Sequence, residues 1–226
     1  MSSELKSEVA LAARMLAAAG LVEAFGHVSA RLNGGGFLIT PTSPLLDAVG
    51  GTVITVDGAG AVVDNPANAA PLETPLHAAI YRARPDVDAI CRGHGPAMVA
   101  WGVALEDLPL RHGLGAIAGV RIPVHPDFDL IASTEAGESA AATLGSHHGM
   151  LLRANGGLAV GADLIEAATR LWFLEERARV VLEAAPGAGA DIGWEHRLTH
   201  TAIELRRAKA WFAARFATAD PGAEDA

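Results

Sequence analysis

The run Glu73-Thr-Pro-Leu-His-Ala-Ala-Ile-Tyr-Arg-Ala-Arg-Pro-Asp-Val-Asp-Ala-Ile-Cys-Arg-Gly-His-Gly-Pro-Ala-Met-Val-Ala-Trp101 decides how this chain folds. Thr74–Ala83 reads as a helix, and Pro85 closes it. Val87–Cys91 follows as a short, nearly all-apolar run of the kind found in a buried strand. Pro96–Trp101 then reads as a second, short helix. A helix, a buried strand and another helix in direct succession point to a sheet covered on its faces by helices.

The pattern continues outward in both directions. Before it, residues 3–19 read as a helix with Ser2 or Ser3 as N-cap and Gly20 as stop, its inner face carrying Val9, Met15 and Leu16. His27–Leu32 and Phe37–Thr40 are strand-like runs joined through Gly34-Gly35-Gly36. Val53–Val56 meets Asp57-Gly58 and a return run at Ala61–Val63, which predicts a hairpin. After it, Ala116–Val124 reads as a strand region broken at Pro123, and Thr134–Leu144 as a helix. Met150–Leu152 and Leu158–Val160 read as strands around Asn155-Gly156-Gly157. Asp163 caps a long amphipathic helix to about Glu183, and a final helix runs from about Trp194 to Phe216. Early hairpins and later interleaved helices predict a mixed central sheet with helices on both sides. One domain over residues 1–218 and a disordered tail at 219–226 are expected.

Composition removes several function classes. The 226 residues carry a formal charge of -9 with no run of Lys or Arg, so the cationic surface that nucleic acid requires is missing. Neither a signal peptide nor an apolar span long enough for a membrane is read. Cys91 is the only cysteine, which excludes an intrachain disulfide and suits a reducing, cytoplasmic setting. No Gly-rich loop opens a helix after a strand, so nucleotide binding is not supported.

The nine histidines are informative through their grouping. Glu73 and His77 stand four apart and share one helical face. His94 follows a buried strand, His147 and His148 precede another, and Asn155 lies in the turn after that one. A carboxylate and imidazoles converging from strand ends are what a divalent-metal site requires. The competing reading makes His77 a hydrogen-bonded structural residue. Cys91, in a buried strand, reads as inert. His125 is a candidate for the cleft wall. His196 and His200 share a face of the last helix, either as packing residues or as acid/base groups reaching a neighbouring subunit.

Six segments, in order and spacing, resemble the class II aldolase/adducin family: Gly26-His-Val-Ser-Ala-Arg31, Ile39-Thr-Pro-Thr-Ser43, Glu73-Thr-Pro-Leu-His77, Arg84-Pro-Asp-Val87, Cys91-Arg-Gly-His-Gly-Pro96 and Leu151-Leu-Arg-Ala-Asn-Gly156. The resemblance runs from about residue 4 to about residue 184. It implies an α/β fold, a three-layer α/β/α sandwich around a largely antiparallel sheet, assembled as a homotetramer with sites between subunits. It also implies a divalent cation (zinc, manganese or iron) held by a His-x-His pair and an Asn-His-Gly histidine, with a glutamate nearby. In such enzymes the ion stabilises the enediolate of aldol cleavage, decarboxylation or epimerisation.

Glu73 and His94 fall on matching positions, but Arg92 stands where the first His-x-His histidine belongs and Asn155 where the Asn-His-Gly histidine belongs. Arginine stays protonated and cannot ligate a metal. It is instead expected to pair with Glu73 and to put a fixed positive charge near the ion's place. The resemblance thus makes Glu73, Arg92 and His94 the catalytic candidates, and Glu73, His94 and His148 the candidate metal ligands. Ser29, Thr42, Ser43, Asn155 and His196 are the candidates for substrate binding. Ala70-Pro71-Leu72 lacks the hydroxyl donors of a phosphate cradle, so a non-phosphorylated substrate is expected, with an apolar part near Leu72. The leading expectation is a carbon–carbon lyase, aldolase or decarboxylase, acting on a small hydroxy- or oxo-acid. The alternatives are a non-catalytic, adducin-like scaffold subunit and a non-haem iron oxygenase using Glu73, His94 and His147 or His148.

Overall fold

Every residue of the strand Ala89–Gly93 is buried, which places it at the centre of the sheet, where both faces need apolar cover. The computed structural model describes residues 2–22, 24–64, 68–184 and 195–217. In chain order the elements are α1 (Ser2–Ala18), β1 (His27–Arg31), β2 (Phe37–Ile39), β3 (Ile54–Val56), α2 (Thr74–Ala83), β4 (Ala89–Gly93), α3 (Pro96–Gly102), β5 (Val124–His125), α4 (Thr134–Leu144), β6 (Gly149–Leu152), β7 (Gly157–Gly161), α5 (Leu164–Glu183) and α6 (Glu195–Phe216). The strands form one seven-stranded sheet in the order β3-β2-β1-β4-β7-β6-β5. Neighbours are antiparallel except for the parallel pair β5–β6.

Side-chain alternation divides the core into two layers. Ala89 and Cys91 of β4 point toward α1, α5 and α6, packing with Leu16, Leu171, Leu174 and Phe212. Ile90 points the other way, toward Leu76 and Ile80 of α2 and Leu144 of α4. Each fully buried Leu, Ile or Phe contributes about 1.5–3 kcal/mol, so the two layers together dominate the stability. The same parity turns Arg92 to the α2 side, where the polar groups gather. The result is an α/β/α sandwich around a mostly antiparallel sheet.

Two sequence expectations change in the structure. Ala116–Val124 is not a strand region: Gly113–Ala118 forms a 3-10 helix, and only Val124–His125 pairs in the sheet. Buried arginines of α5 supply the reason. Arg177 donates to the carbonyls of Leu108, Pro109 and Gly119, and Arg170 to that of Ile117, so this segment meets its hydrogen-bonding demand without a strand partner. The return run Ala61–Val63 is reduced to one bridge, Val56 to Val62. Asp57 accounts for this by accepting from the backbone N–H of both Ala59 and Ala61, which tightens the turn at the expense of a ladder. The expected tail at 219–226 lies outside the described residues. Among the described residues, no helix is long and apolar enough to cross a membrane.

Candidate functional site

Pairing of β1 with β4 sets His27 opposite Arg92 and Ser29 opposite Ile90. Both His27 and Ser29 therefore face the α2 layer. On the facing helix, Glu73, His77 and Tyr81 recur every four residues along one face. The two rows interlock into a buried polar cluster. Glu73 Oε2 is 3.1 Å from His27 Nε2 and 3.5 Å from Arg92 Nε. His27 Nδ1 is 2.6 Å from His77 Nε2. Ser29 Oγ lies 2.6 Å from His77 Nδ1 and 2.8 Å from the Tyr81 hydroxyl. The other Glu73 oxygen, Oε1, has only a long contact of 3.5 Å from the Ile131 N–H.

Arg92 is 0% exposed. Its Nη1 donates to the Gly93 carbonyl at 2.6 Å, whereas Nη2 and Nε, the latter ion-paired to Glu73, have no hydrogen-bond partner. A buried guanidinium with an idle donor is expensive unless a ligand completes it. Burial by itself pushes the Glu73 carboxyl up, but the His27 hydrogen bond and the Arg92 charge outweigh it and hold the group down at about 2. Burial drives His27 and His77 below the ordinary imidazole range, so both stay neutral near pH 7.

His94 is half-buried just beyond the end of β4. Its backbone N–H donates to the Leu21 carbonyl and its ring Nδ1 lies 3.2 Å from the Phe25 carbonyl, with the Phe25 ring edge-on at 6.4 Å. Burial, followed by the nearby Arg92 charge, lowers its pKa to about 4, leaving a neutral imidazole. Asn155 reaches the same place through the β6–β7 turn. Gly156 has φ +74, and a Cβ there would fall 2.2 Å from the Gly93 carbonyl and 2.8 Å from the His94 Cα. Only glycine allows that approach, so the Asn155-Gly156 turn is pressed against Gly93-His94. Exposed apolar side chains surround the cluster in sequence: Phe25 beside His94, Leu72 before Glu73, and Leu130 before Ile131.

Several expected residues are placed differently. Ser29 is fully buried between His77 and Tyr81 and offers no surface to a substrate. Thr42 and Ser43 are exposed on the loop after β2, and the Thr42 N–H bonds the Ala69 carbonyl on the way to Glu73. His148 is exposed at the opposite end of β6, its carbonyl accepting from Val160, which lies opposite Ile90 rather than Gly93. Burial and the charges of Arg170 and Arg84 bring it to about 4. Four strand residues at about 3.3 Å each separate its level from His94, too far to share an ion. His147 stands beside it, so the set of two histidines and one carboxylate is not assembled. His125 is buried and tied to Thr143 of α4. Burial raises the Cys91 thiol, consistent with an inert side chain. The side chains of His196 and His200 lie outside the described residues. A separate cavity of about 430 Å³ lined by Leu114, Trp172 and Trp211 shares no residue with the cluster.

The site does not fit the divalent cation that class II aldolases generally use. Among the described residues, no three His, Cys, Asp or Glu side chains are arranged to hold a metal. Both ring nitrogens of His27 are already engaged, and Arg92 sets a fixed cation 3.5 Å from the one carboxylate present. A dication beside that guanidinium would meet like charge in a poorly screened interior.

Sequence reading missed His27 and Tyr81. The four-residue recurrence of Glu73, His77 and Tyr81, and the alternation of His27 with Ser29, were the signals available.

Similarity to known proteins agrees with this fold. The profile of the Class II Aldolase and Adducin N-terminal domain matches residues 7–182. A 3,4-dihydroxyphthalate decarboxylase of Terrabacter is 32% identical over 201 residues, covering 81% of this chain and 83% of that protein. Its counterpart from Arthrobacter keyseri is 28% identical over 207 residues, covering 82% and 80%. Among solved structures, an L-fuculose 1-phosphate aldolase superposes with a TM-score of 0.81 at 23% identity, covering 90% of this chain and 97% of that one. The chain, with this sheet order and this match across most of its length, belongs to the class II aldolase and adducin family.

Proposed function

We propose that this chain is a carbon–carbon lyase of the decarboxylase type, acting on a small, hydroxylated, non-phosphorylated carboxylic acid. The single observation that carries this reading is Arg92, a buried cation beside Glu73 with an idle Nη2 donor. The names of the curated relatives support it, since three are 3,4-dihydroxyphthalate decarboxylases at 28%, 31% and 32% identity. A dihydroxylated aromatic acid is therefore the first substrate to try.

In a hydroxylated aromatic acid the pair of the breaking bond lies in the ring plane, so the carbon that bears the carboxylate takes a proton first; the bond pair then returns to the ring, and to its oxygen as an oxyanion, as carbon dioxide leaves. A preformed cation that meets that oxyanion lowers the barrier without reorganising at the moment of reaction. Arg92, 0% exposed, supplies that charge from within the cluster, beside Glu73, rather than by direct contact. The net reaction adds one proton to carbon as neutral carbon dioxide leaves. Glu73, ionised and with Oε1 lightly engaged, takes the substrate's hydroxyl proton and delivers it to that carbon, and the phenolate left when carbon dioxide departs takes one proton from water. Neutral, half-buried His94 donates a hydrogen bond to a substrate oxygen. The Phe25 ring, edge-on to His94, suits a carboxylate that loses its charge as it departs. Ala70-Pro71-Leu72 offers a phosphate no side-chain hydroxyl.

The test is carbon dioxide release from 3,4-dihydroxyphthalate and from its positional isomers, with wild type, Glu73→Gln and Arg92→Met compared. Release that falls at least about 100-fold in both variants supports the reading. Absence of release from every hydroxylated aromatic and oxo-acid offered, or an undiminished rate in Arg92→Met, would refute it.

A further inference from the structure

The polar cluster extends well beyond the atoms a substrate can touch. Glu73, His27, His77, Ser29 and Tyr81 form one unbranched file of four contacts at 3.1, 2.6, 2.6 and 2.8 Å. His77 and Ser29 are both 0% exposed, so no solvent offers either an alternative partner.

The direction of the file follows from its two ends. Glu73 is ion-paired to an arginine that stays protonated, so its carboxylate accepts only. His27 must therefore carry its proton on Nε2, which leaves Nδ1 as an acceptor. Between His27 Nδ1 and His77 Nε2 there is room for one proton, and His77 must supply it. His77 Nδ1 then accepts, so Ser29 donates. Ser29 Oγ in turn accepts from the Tyr81 hydroxyl. With His27 kept neutral by its burial, each donor meets one acceptor and a single direction remains. Tyr81 is itself held from outside, its ring under the Arg31 guanidinium at 4.7 Å and its carbonyl accepting from Arg31 at 3.0 Å.

We infer that His77, Ser29 and Tyr81 are positioning residues that act through His27. They fix both imidazoles as the Nε2–H tautomer, pin Glu73 Oε2, and so reserve Oε1 for the substrate. Were His27 to turn to the Nδ1–H tautomer, its Nε2 lone pair would face the carboxylate and Glu73 would swing away from it. Tyr81 and Ser29 prevent that turn from a distance, because they fix His77. The inference rests on Glu73 being the proton-transferring group.

The test has two arms. Histidine-selective nitrogen-15 labelling with magic-angle-spinning NMR at neutral pH reads the tautomers directly, His27 and His77 being assigned from His27→Gln and His77→Gln. The expected result is Nε2–H with a bare Nδ1 on both. A proton on Nδ1 of either ring overturns the inference. The kinetic arm uses Ser29→Ala and Tyr81→Phe, which remove only a hydroxyl and keep the packing. Ser29→Ala is expected to lower kcat for 3,4-dihydroxyphthalate about tenfold with KM within about twofold, as one hydrogen bond is lost. It should also shift the His77 nitrogen signals toward a tautomer mixture. Tyr81→Phe should lower kcat by about threefold and shift the His77 nitrogen signals in the same direction as Ser29→Ala but by less. Unchanged His77 signals in Ser29→Ala overturn the inference. The NMR arm decides the tautomers whether or not any substrate is decarboxylated, so a failure of the decarboxylase reading remains distinct.

Discussion

Arg92→Met is the most informative single perturbation. Methionine keeps much of the apolar stem and removes the charge. Glu73, only 6% exposed, then loses its ion pair at 3.5 Å but keeps the His27 hydrogen bond at 3.1 Å. Removing one partner of a buried pair typically costs about 3–5 kcal/mol. The surviving His27 bond, and the relief of no longer burying a guanidinium, place this case near the lower end, at about 3 kcal/mol. For a chain of this size each kcal/mol moves the melting temperature by roughly 2–4 °C, so a fall of about 6–12 °C is expected at neutral pH. The pH dependence has a definite sign. Glu73 is held down at about 2 from an ordinary value of 4.5, so its contribution to stability is present above 4.5 and is lost as the pH falls toward 2. Arg92→Met weakens that depression. The gap between wild type and variant should therefore be full at pH 7 and narrow as the pH is lowered from about 4.5. Calorimetry or circular dichroism melts at pH 7 and pH 3.5 measure both quantities. A loss below about 2 °C at pH 7, or a gap that widens in acid, would show that the pair does not matter in the way the geometry implies.

Three further outcomes are expected. Gly156→Ala forces a Cβ to within 2.2 Å of the Gly93 carbonyl at a φ of +74, and should destabilise by at least about 2 kcal/mol while shifting the His94 resonances; an unchanged melt would mean that the turn does not hold the site. Arg92→His combined with Asn155→His should gain about one zinc per chain by elemental analysis, whereas wild type purified without added metal should hold well under that; equal metal in both would overturn the account of the altered ligand set. Light scattering should return a tetramer, because family sites lie between subunits, and a stable species near 23.2 kDa would exclude it.

Much of the architecture was legible in the sequence because it depends on local periodicity. The four-residue step from Glu73 to His77 specifies a shared helical face, and the two-residue step from Arg92 to His94 specifies a shared side of the chain, whatever the rest of the protein does. The family motifs identified the fold class and singled out Arg92 and Asn155 as departures from a metal site. The sequence alone likewise excluded a disulfide, since Cys91 has no counterpart. Other features depended on which strand pairs with which, and at what register. His27 joins Glu73 only because β1 lies antiparallel to β4 with His27 opposite Arg92. His148, close in sequence to Asn155, is carried to the far end of β6 by the strand between them. Ala116–Val124 has a strand-like composition, but Arg170 and Arg177 from a distant helix claim its carbonyls. Local propensity is a property of a few consecutive residues. Register, burial and the partner of each polar group are settled when the whole sheet and both helical layers close together, and there the tertiary structure alone decides.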